Sequence, residues 1–304
     1  MDIEPGKTII GFIGLGVMGK SMAGHILDAG FELHVYTRTK KSGQTIIAKG
    51  GVWENSVPEL SGKCDIIITI VGFPTDVEDI YLDKNGILNH AKKETIVIDM
   101  TTSSPDLAMK IYTKAKEKGI ESLDAPVSGG DLGAQNASLS IMVGGDQKIF
   151  DKIFPIFKIM GKNIELQGKS GAGQHTKVAN QIALAAGMIG VCESLAYAEK
   201  SGLDPETVLK SIGQGAAGSW SLNNMGPRMI AGNFEPGFYI KHFIKDMNIA
   251  AESSKDLGLA TPGLDLVLSL YKKSLNKEAE IQITSSLAFN NSVFSANINS
   301  STIF

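Results

Sequence analysis

The chain has 304 residues, 29 basic and 32 acidic side chains, and a formal net charge of −3. This length predicts about two domains, at about 150 residues each, with ample core. Because the charges are balanced and form no basic block, the composition argues against nucleic acid and anionic membrane surfaces as partners.

Cysteine usage and the N-terminus indicate the compartment. Cys64 and Cys192 lie far apart in apolar stretches, which favours buried free thiols over a disulfide or a metal site. Residues 1–8 include acids and no apolar signal core, so secretion is not expected. The longest apolar run, residues 182–192, is shorter than the roughly 20 residues that span a bilayer. We therefore expect a soluble cytoplasmic protein.

The first motif is a glycine turn between a strand and a helix. Residues 8–13 form an apolar run, and residues 21–29 read as an amphipathic helix. The turn between them consists of Gly14, Leu15, Gly16, Val17, Met18 and Gly19. In this setting the glycines permit close backbone approach, and the helix N-terminus offers free N–H groups to a pyrophosphate. The turn predicts a dinucleotide site; the alternative is a turn that only packs helix on strand.

The end of the second strand indicates which dinucleotide binds. NAD sites usually place a carboxylate there for the ribose 2′-hydroxyl. This strand, residues 33–37, instead ends in Thr37 and is followed by Arg38. Since Arg38 can bind a 2′-phosphate, the sequence predicts NADP, with NAD as the lesser alternative. The competing interpretation is a loop of solvated charges.

The alternation of strands and helices continues through residues 65–71 and 95–100. This order predicts a parallel, doubly wound α/β sheet with its ligand at the carboxyl ends of the strands. The loops at 72–76 and 101–105 follow two such ends and are expected to line the cofactor. Ser104 and Pro105 also read as the cap and first residue of a helix.

Two later segments carry further polar groups. Ser128, Gly129 and Gly130 form a flexible turn whose N–H groups could bind a carboxylate, or an ordinary loop. Residues 173–203 predict one long, largely buried helix, with Lys177 and Asn180 on one face near its start. A lysine there opposes the helix dipole, which suggests a function. The alternative is a lysine that extends to solvent.

The second half shows no strand pattern and is expected to be all-α, joined to the first domain by the long helix, with the boundary between residues 170 and 171. Asp204 predicts a helix start, and Lys245 and Asp246 are expected to open another helix. Three aromatic residues could line a pocket, a subunit contact or a plain core: Trp220, Phe234 and Phe238. Residues 287–304 are rich in Ser and Asn and have no periodicity.

Four motifs in register resemble the β-hydroxyacid dehydrogenase family, which includes 3-hydroxyisobutyrate dehydrogenase, tartronate semialdehyde reductase and the reductases of glyoxylate and succinic semialdehyde. They are GFIGLGVMG at 11–19, DAPVSGG at 124–130, GAGQHTKVAN at 171–180 and the pair Lys245–Asp246. The resemblance covers roughly residues 8–273. It implies a Rossmann-type domain followed by a helical domain.

The resemblance also implies a role for each matching residue. Lys177 matches the catalytic lysine and Asn180 its substrate-binding neighbour, while the turn at 128–130 matches the site for the substrate carboxylate. The residues that match cofactor contacts are the turn at 14–19, Arg38, Thr39, Phe73, Pro74, Thr102 and Lys245.

The motifs together with this resemblance predict an NADP-preferring oxidoreductase that acts on a small 3-hydroxy acid or its semialdehyde. The resemblance also implies a homodimer or homotetramer. Lys177 would be the general acid and base. Two alternatives remain: an imine reductase of the same architecture, and a catalytically silent NADP-binding protein. His175 lies two positions from Lys177 and so does not face it, and the other histidines show no metal-ligand spacing.

Overall fold

The computed structural model describes residues 3–233 and 238–277, with side chains to residue 274. The chain divides into two compact units, Met1–Lys177 and Val178–Phe304. The expectations for Phe234 and for residues 287–304 concern positions outside the described ranges.

The first unit is built on one nine-stranded sheet, ordered β3-β2-β1-β4-β5-β6-β8-β7, with β9 paired to β8. Its strands are β1 Ile9–Ile13, β2 Glu32–Tyr36, β3 Val52–Trp53, β4 Ile66–Thr69, β5 Ile96–Asp99, β6 Glu121–Asp124, β7 Val127–Ser128, β8 Leu139–Gly144 and β9 Gly161–Gly168. All pairs from β3 to β6 are parallel. β8 runs antiparallel to β6 and β7 and parallel to β9. The predicted doubly wound sheet is confirmed.

Helices connect these strands: α1 Val17–Asp28, α2 Gln44–Ala48, α3 Val57–Ser61, α4 Pro74–Leu82, α5 Ile87–His90, α6 Pro105–Glu117, α7 Gly130–Gln135 and α8 Gln147–Met160, with a 3-10 turn at Lys40–Gly43. The hydroxyl of Ser104 accepts the N–H of Leu107 at 3.1 Å, so the predicted cap of α6 is confirmed. Every residue of β4 and β5 is buried, because helices cover both faces of a parallel sheet.

The second unit is helical throughout its described part. Its helices are α9 Ala172–Lys200, which begins in the first unit, α10 Pro205–Ile212, α11 Trp220–Ile230, α12 Ile240–Asp256 and α13 Pro262–Lys277. Asp204 caps α10 as predicted, accepting the N–H of Thr207 at 3.1 Å. The predicted start of a helix at Lys245 is wrong, because α12 already begins at Ile240. Its N-cap, Tyr239, makes no side-chain cap, so the usual sequence signal is missing.

Helix α9 is as long as predicted, but the prediction that it is largely buried is wrong for the single chain. Ala179, Ala183, Ala186 and Gly190 are exposed at alternating spacings of four and three residues. This set of four small residues is called the α9 stripe below. Within the described residues, α9 alone is long and apolar enough to cross a membrane by length and composition, a test that core helices of soluble proteins also pass.

Candidate functional site

The predicted cofactor loops follow strands β1, β2, β4 and β5. These strands are parallel neighbours, so their carboxyl ends lie along one edge of the sheet. Chain order reverses at β1, since β2 lies on one side of it and β4 on the other. Ligands of doubly wound sheets bind at such a reversal point.

The glycine turn has the shape that a dinucleotide needs. Gly14 has φ +100°, and a Cβ there would collide with the carbonyl oxygen of Ile70. A Cβ on Gly19 would collide with the carbonyl oxygen of Gly14. At Gly16, by contrast, a Cβ would meet no atom within 4 Å. Packing therefore explains the first and third glycines, whereas the second leaves open space beside the backbone, as a bound pyrophosphate requires.

The start of α1 supplies the complementary charge. Gly16 is its N-cap, offers no side-chain cap, and is followed by no acidic residue in the first turn. The first N–H groups of this 12-residue helix thus have no side-chain acceptor from the cap and carry the positive end of the helix dipole. Together with the open space at Gly16, this end fits the diphosphate of a dinucleotide cofactor.

Arg38 lies just beyond β2, and its side chain is 80% exposed. Its Nη1 donates to Oδ1 of Asp76 at 3.0 Å, and the other oxygen of Asp76 accepts the N–H of Phe73 at 3.1 Å. Residues 37–41 contain no carboxylate, but α4 brings one to Arg38. Asp76 was not identified from the sequence, because its contact with Arg38 joins segments 38 residues apart.

The other predicted cofactor residues lie in the same group of loops or next to it. Thr39 is exposed and precedes the 3-10 turn, and Phe73 is 37% exposed as the N-cap of α4. Pro74 is the first residue of α4, and Thr102 is half-buried in the loop after β5.

A buried hydrogen-bond network lies beneath the loop that contains Thr102. Oδ1 of Asp99 accepts the hydroxyl of Thr69 at 2.9 Å and the N–H of Thr101 at 3.1 Å. The Thr101 hydroxyl accepts the N–H of Val71 at 3.0 Å, which ties the loops after β4 and β5 together. Burial raises the pKa of Asp99 to about 6, although its hydrogen bonds oppose the rise and Asp124 adds to it.

Ser128 ends strand β7 and is half-buried, so the expected flexible turn is partly regular structure. Gly129 and Gly130 follow with φ of +124° and +63°, and Gly130 begins α7. Two successive glycines in this region of backbone space can present their N–H groups to an anion.

Lys177 lies in the second turn of α9 and is buried, with 6% of its surface exposed. The alternative of a lysine that extends to solvent is therefore not what the structure shows. The start of its helix is held by Asp124 at the end of β6. One carboxylate oxygen accepts the N–H of Gly171 at 2.8 Å, and the other accepts that of Gln174 at 2.9 Å.

The Gln174 side chain extends this anchor to the loop after β5. Its Oε1 accepts the N–H of Ser103 at 2.9 Å, and its Nε2 donates to the carbonyl of Thr101 at 2.8 Å. Gln174 is fully buried and Asp124 is 4% exposed. Neither residue was assigned a role from the sequence, although both lie inside the motifs. A polar side chain in an otherwise buried strand end or helix start is the signal that could have identified them.

In the second unit, two of the predicted site residues, Asn180 and Lys245, are linked through other side chains. Nδ2 of Asn180 donates to Oε1 of Gln181 at 2.7 Å, and Nε2 of Gln181 donates to Oδ2 of Asp246 at 2.5 Å. The other oxygen of Asp246 lies 2.8 Å from Nζ of Lys245. Asn180 and Lys245 are thus connected through two buried side chains.

His34 and the two cysteines lie in buried, structural surroundings. His34 is buried, and its Nδ1 lies 2.6 Å from Glu54, which also accepts from Lys63 at 2.7 Å. Cys64 and Cys192 are free and buried, as predicted. In residues 3–233 and 238–277, no group of three or more His, Cys, Asp or Glu side chains is placed to hold a metal ion.

Two family models match consecutive parts of the chain. Residues 9–168 match the family model described as the NAD-binding domain of 6-phosphogluconate dehydrogenase. Residues 171–287 match the model described as NAD-binding of NADP-dependent 3-hydroxyisobutyrate dehydrogenase.

Individual relatives agree with these models. An uncharacterised oxidoreductase of Bacillus subtilis is 61% identical over 267 residues, 88% of this chain and 93% of the relative. The 2-hydroxy-3-oxopropionate reductase of Escherichia coli is 40% identical over 262 residues, 86% of this chain and 89% of the relative.

Solved structures show the same fold. Mycobacterium tuberculosis 3-hydroxyisobutyrate dehydrogenase with L-serine has a TM-score of 0.85 at 29% identity, covering 93% of this chain and 99% of that one. A Streptomyces aurantiacus imine reductase is more distant, with a TM-score of 0.61 at 18% identity, 93% of this chain and 99% of that one. The glycine turn, which leaves space for a dinucleotide, is consistent with the family models and the relatives. This chain belongs to the β-hydroxyacid dehydrogenase family and is an NAD(P)-dependent oxidoreductase.

Proposed function

We propose that the chain is an NADP-preferring dehydrogenase or reductase that interconverts a small 3-hydroxy acid and its semialdehyde. The observation that carries the proposal is Lys177: a buried lysine, one turn beyond a helix start that is hydrogen-bonded to the strand end at Asp124. Its motif matches that of the family's catalytic lysine. A 2-hydroxy-3-oxopropionate reductase among the relatives supports the substrate class.

In the proposed reaction, the bound nicotinamide cofactor supplies or accepts the hydride. The Ser128 hydroxyl and the N–H groups of Gly129 and Gly130 bind the substrate carboxylate, and Asn180 binds the substrate close to its reacting end. The Lys177 ammonium stabilises the negative charge that develops on the carbonyl oxygen and donates a proton to it. In the oxidative direction, the neutral amine accepts the hydroxyl proton.

The cofactor is proposed to be NADP. The turn at 14–19 would bind the diphosphate. Arg38 and Thr39 would bind the 2′-phosphate, since an arginine suits a phosphate, whereas a carboxylate at the end of β2 would repel it. Phe73, Pro74, Thr102 and Lys245 are proposed as further cofactor contacts.

The remaining proposals concern the whole protein. We propose that the boundary between the cofactor domain and the helical domain lies between residues 170 and 171. We also propose that the protein is cytoplasmic and forms a homodimer or homotetramer. The exposed α9 stripe supports the oligomer, because small residues at this spacing allow two helices to pack closely.

An imine reductase is the second candidate, and a silent NADP-binding protein the third. Imines need no carboxylate site, so the motif at Ser128, Gly129 and Gly130 argues against the second. The presence of Lys177 argues against the third.

The test is turnover of Lys177→Ala with NADPH and a panel of short aldehydes, each with and without a carboxylate. Loss of a general acid should lower kcat by about 10²–10⁴-fold. NADPH affinity should stay within about threefold of the wild type. Lys200→Ala is the matched control, because Lys200 is exposed at the far end of the same helix. Near-normal turnover of Lys177→Ala would refute the mechanism, and turnover of aldehydes without a carboxylate would refute the substrate class.

A further inference from the structure

The loop after β5 and the start of α9 share one side chain. Gln174 accepts the N–H of Ser103 and donates to the carbonyl of Thr101, so its amide uses both its acceptor and a donor on that loop. Its backbone N–H is bound by Asp124. All these groups are buried and lie in the first unit.

The packing around Asp124 leaves little freedom for this helix start. A Cβ on Gly173 would lie 2.7 Å from the carbonyl oxygen of Asp124 and 2.8 Å from its carboxylate. The first turn of α9 therefore sits directly on the end of β6. Lys177 follows Gln174 by three residues, about one helical turn or 4.5 Å along the axis.

We propose that Gln174 is a positioning residue that couples the cofactor loop at 101–103 to Lys177. This inference rests on the proposed function, in which Thr102 contacts the cofactor and Lys177 transfers the proton. A displacement of the loop acts on Gln174 through two hydrogen bonds, and Gln174 passes it to the first turn of α9. Cofactor binding thus orders the helix start that carries the proton donor.

Gln174→Met removes both loop hydrogen bonds and keeps the side-chain volume close to the original. Because a misplacement of about 1 Å can lower turnover by about 10²-fold, we expect kcat to fall by roughly 30- to 100-fold. The KM for substrate should change by less than about threefold, since the substrate carboxylate is bound elsewhere.

Gln174→Glu separates positioning from general destabilisation. A protonated Glu reproduces the amide pattern, with one oxygen that accepts from Ser103 and a hydroxyl that donates to Thr101; an ionised Glu cannot donate. The titratable groups near this position include Asp124, which binds the backbone N–H of residue 174, Asp99, which is linked to it through Thr101, and Lys177, three residues further along α9. The ratio of kcat for Gln174→Glu to kcat for Gln174→Met should therefore rise at least about tenfold as the pH is lowered from about 8 to about 6.

Thr95→Val is the matched structural control. Thr95 is buried at the amino-terminal end of β5, and its hydroxyl donates to the carbonyl of Cys64 at 3.4 Å. This variant loses a buried hydrogen bond at the opposite edge of the sheet and should keep wild-type kcat and pH profile.

A readout independent of turnover distinguishes failure of this inference from failure of the proposed function. Amide hydrogen exchange is measured at residues 101–103 and 171–177, with and without NADPH. In the wild type, NADPH should slow exchange in both segments; in Gln174→Met it should slow only the loop. Equal protection of residues 171–177 in both proteins would overturn the proposal even if no substrate were found. Once turnover is measured, a Gln174→Glu defect in kcat that does not depend on pH would overturn it as well.

Discussion

At the residue scale, the proposed preference for NADP depends on the charge next to β2. Arg38 is mostly exposed and rests on Asp76, an ion pair that contributes little to stability because solvent screens it. A 2′-phosphate would compete with Asp76 for the same guanidinium. Both residues of the pair should therefore affect discrimination between NADPH and NADH.

Arg38→Ala should weaken NADPH binding by roughly 10- to 100-fold, the equivalent of one or two charge-assisted hydrogen bonds, and leave NADH within about threefold. Asp76→Asn should have the opposite sign, because it frees Arg38 and keeps an oxygen for the N–H of Phe73. Fluorescence titration with each cofactor measures both effects, with the exposed Lys49→Ala as control. Equal weakening of both cofactors by Arg38→Ala would contradict the assignment.

Lys177 shows how far a sequence leads at this scale. Its position on a helix and its motif were visible in the chain, as were the glycines of the cofactor turn. Asp124 and Gln174 were not identified, because their partners are 47 to 73 residues away in sequence and the contacts exist only in the folded sheet.

At the scale of elements, the ends of β4 and β5 meet in a buried polar network around Asp99. The hydroxyl of Tyr81 in α4 lies 2.9 Å from that of Thr69, which donates to Asp99. Asp99 pairs with Asp124 on β6, so two buried carboxylates occupy adjacent strand ends. The network holds the loops in place, but burying an ionised carboxylate in it has a cost in folding free energy.

That cost predicts a pH dependence of stability. Burial raises the pKa of Asp99 from 3.8 to about 6, so its contribution to folding is full below about pH 4 and is lost as the pH rises through about 6. The loss amounts to about 3 kcal/mol at most, at 1.36 kcal/mol per pKa unit.

Asp99→Asn removes the charge and keeps an oxygen for Thr69 and Thr101. The variant should therefore exceed the wild type in free energy of unfolding above about pH 6, with the difference vanishing below about pH 4. Urea unfolding at a series of pH values measures this. Asp65→Asn is the control, since Asp65 binds the N–H of Ile9 at the other edge of the sheet. A gain that does not depend on pH would exclude the buried charge as its cause.

Elements differed in how well the sequence predicted them. Strands β4 and β5 were identified because strands covered on both faces appear as short apolar runs. Residues 131–169 received no assignment, yet they hold β8, α8 and β9. β9 is largely exposed and has no plain signal, whereas α8 has a clear amphipathic pattern that was missed and that Pro155 interrupts.

At the scale of the whole molecule, the α9 stripe is a run of exposed small residues on a long helix of the described chain. Its four residues recur at the spacing of a helix-packing seam. A second copy of the chain is the proposed cover.

Ala183→Glu should convert the oligomer to a monomer, because the seam would have to bury an unpaired charge. Light scattering after size-exclusion chromatography measures the mass. Lys200→Glu, an exposed charge change on the same helix, should leave the oligomer intact. A wild type that is monomeric at micromolar concentration, or an unaffected Ala183→Glu, would exclude this seam.

The glycine turn, the paired glycines after β7 and Lys177 all fall within residues 1–177, one compact unit. In evolutionary terms, a recombination after Lys177 would pass the dinucleotide turn, the proposed carboxylate site and the proposed proton donor to the descendant as a single block. Different helical units could then be joined to the same residues 1–177. The substrate could change in this way while the proposed reacting groups stayed the same.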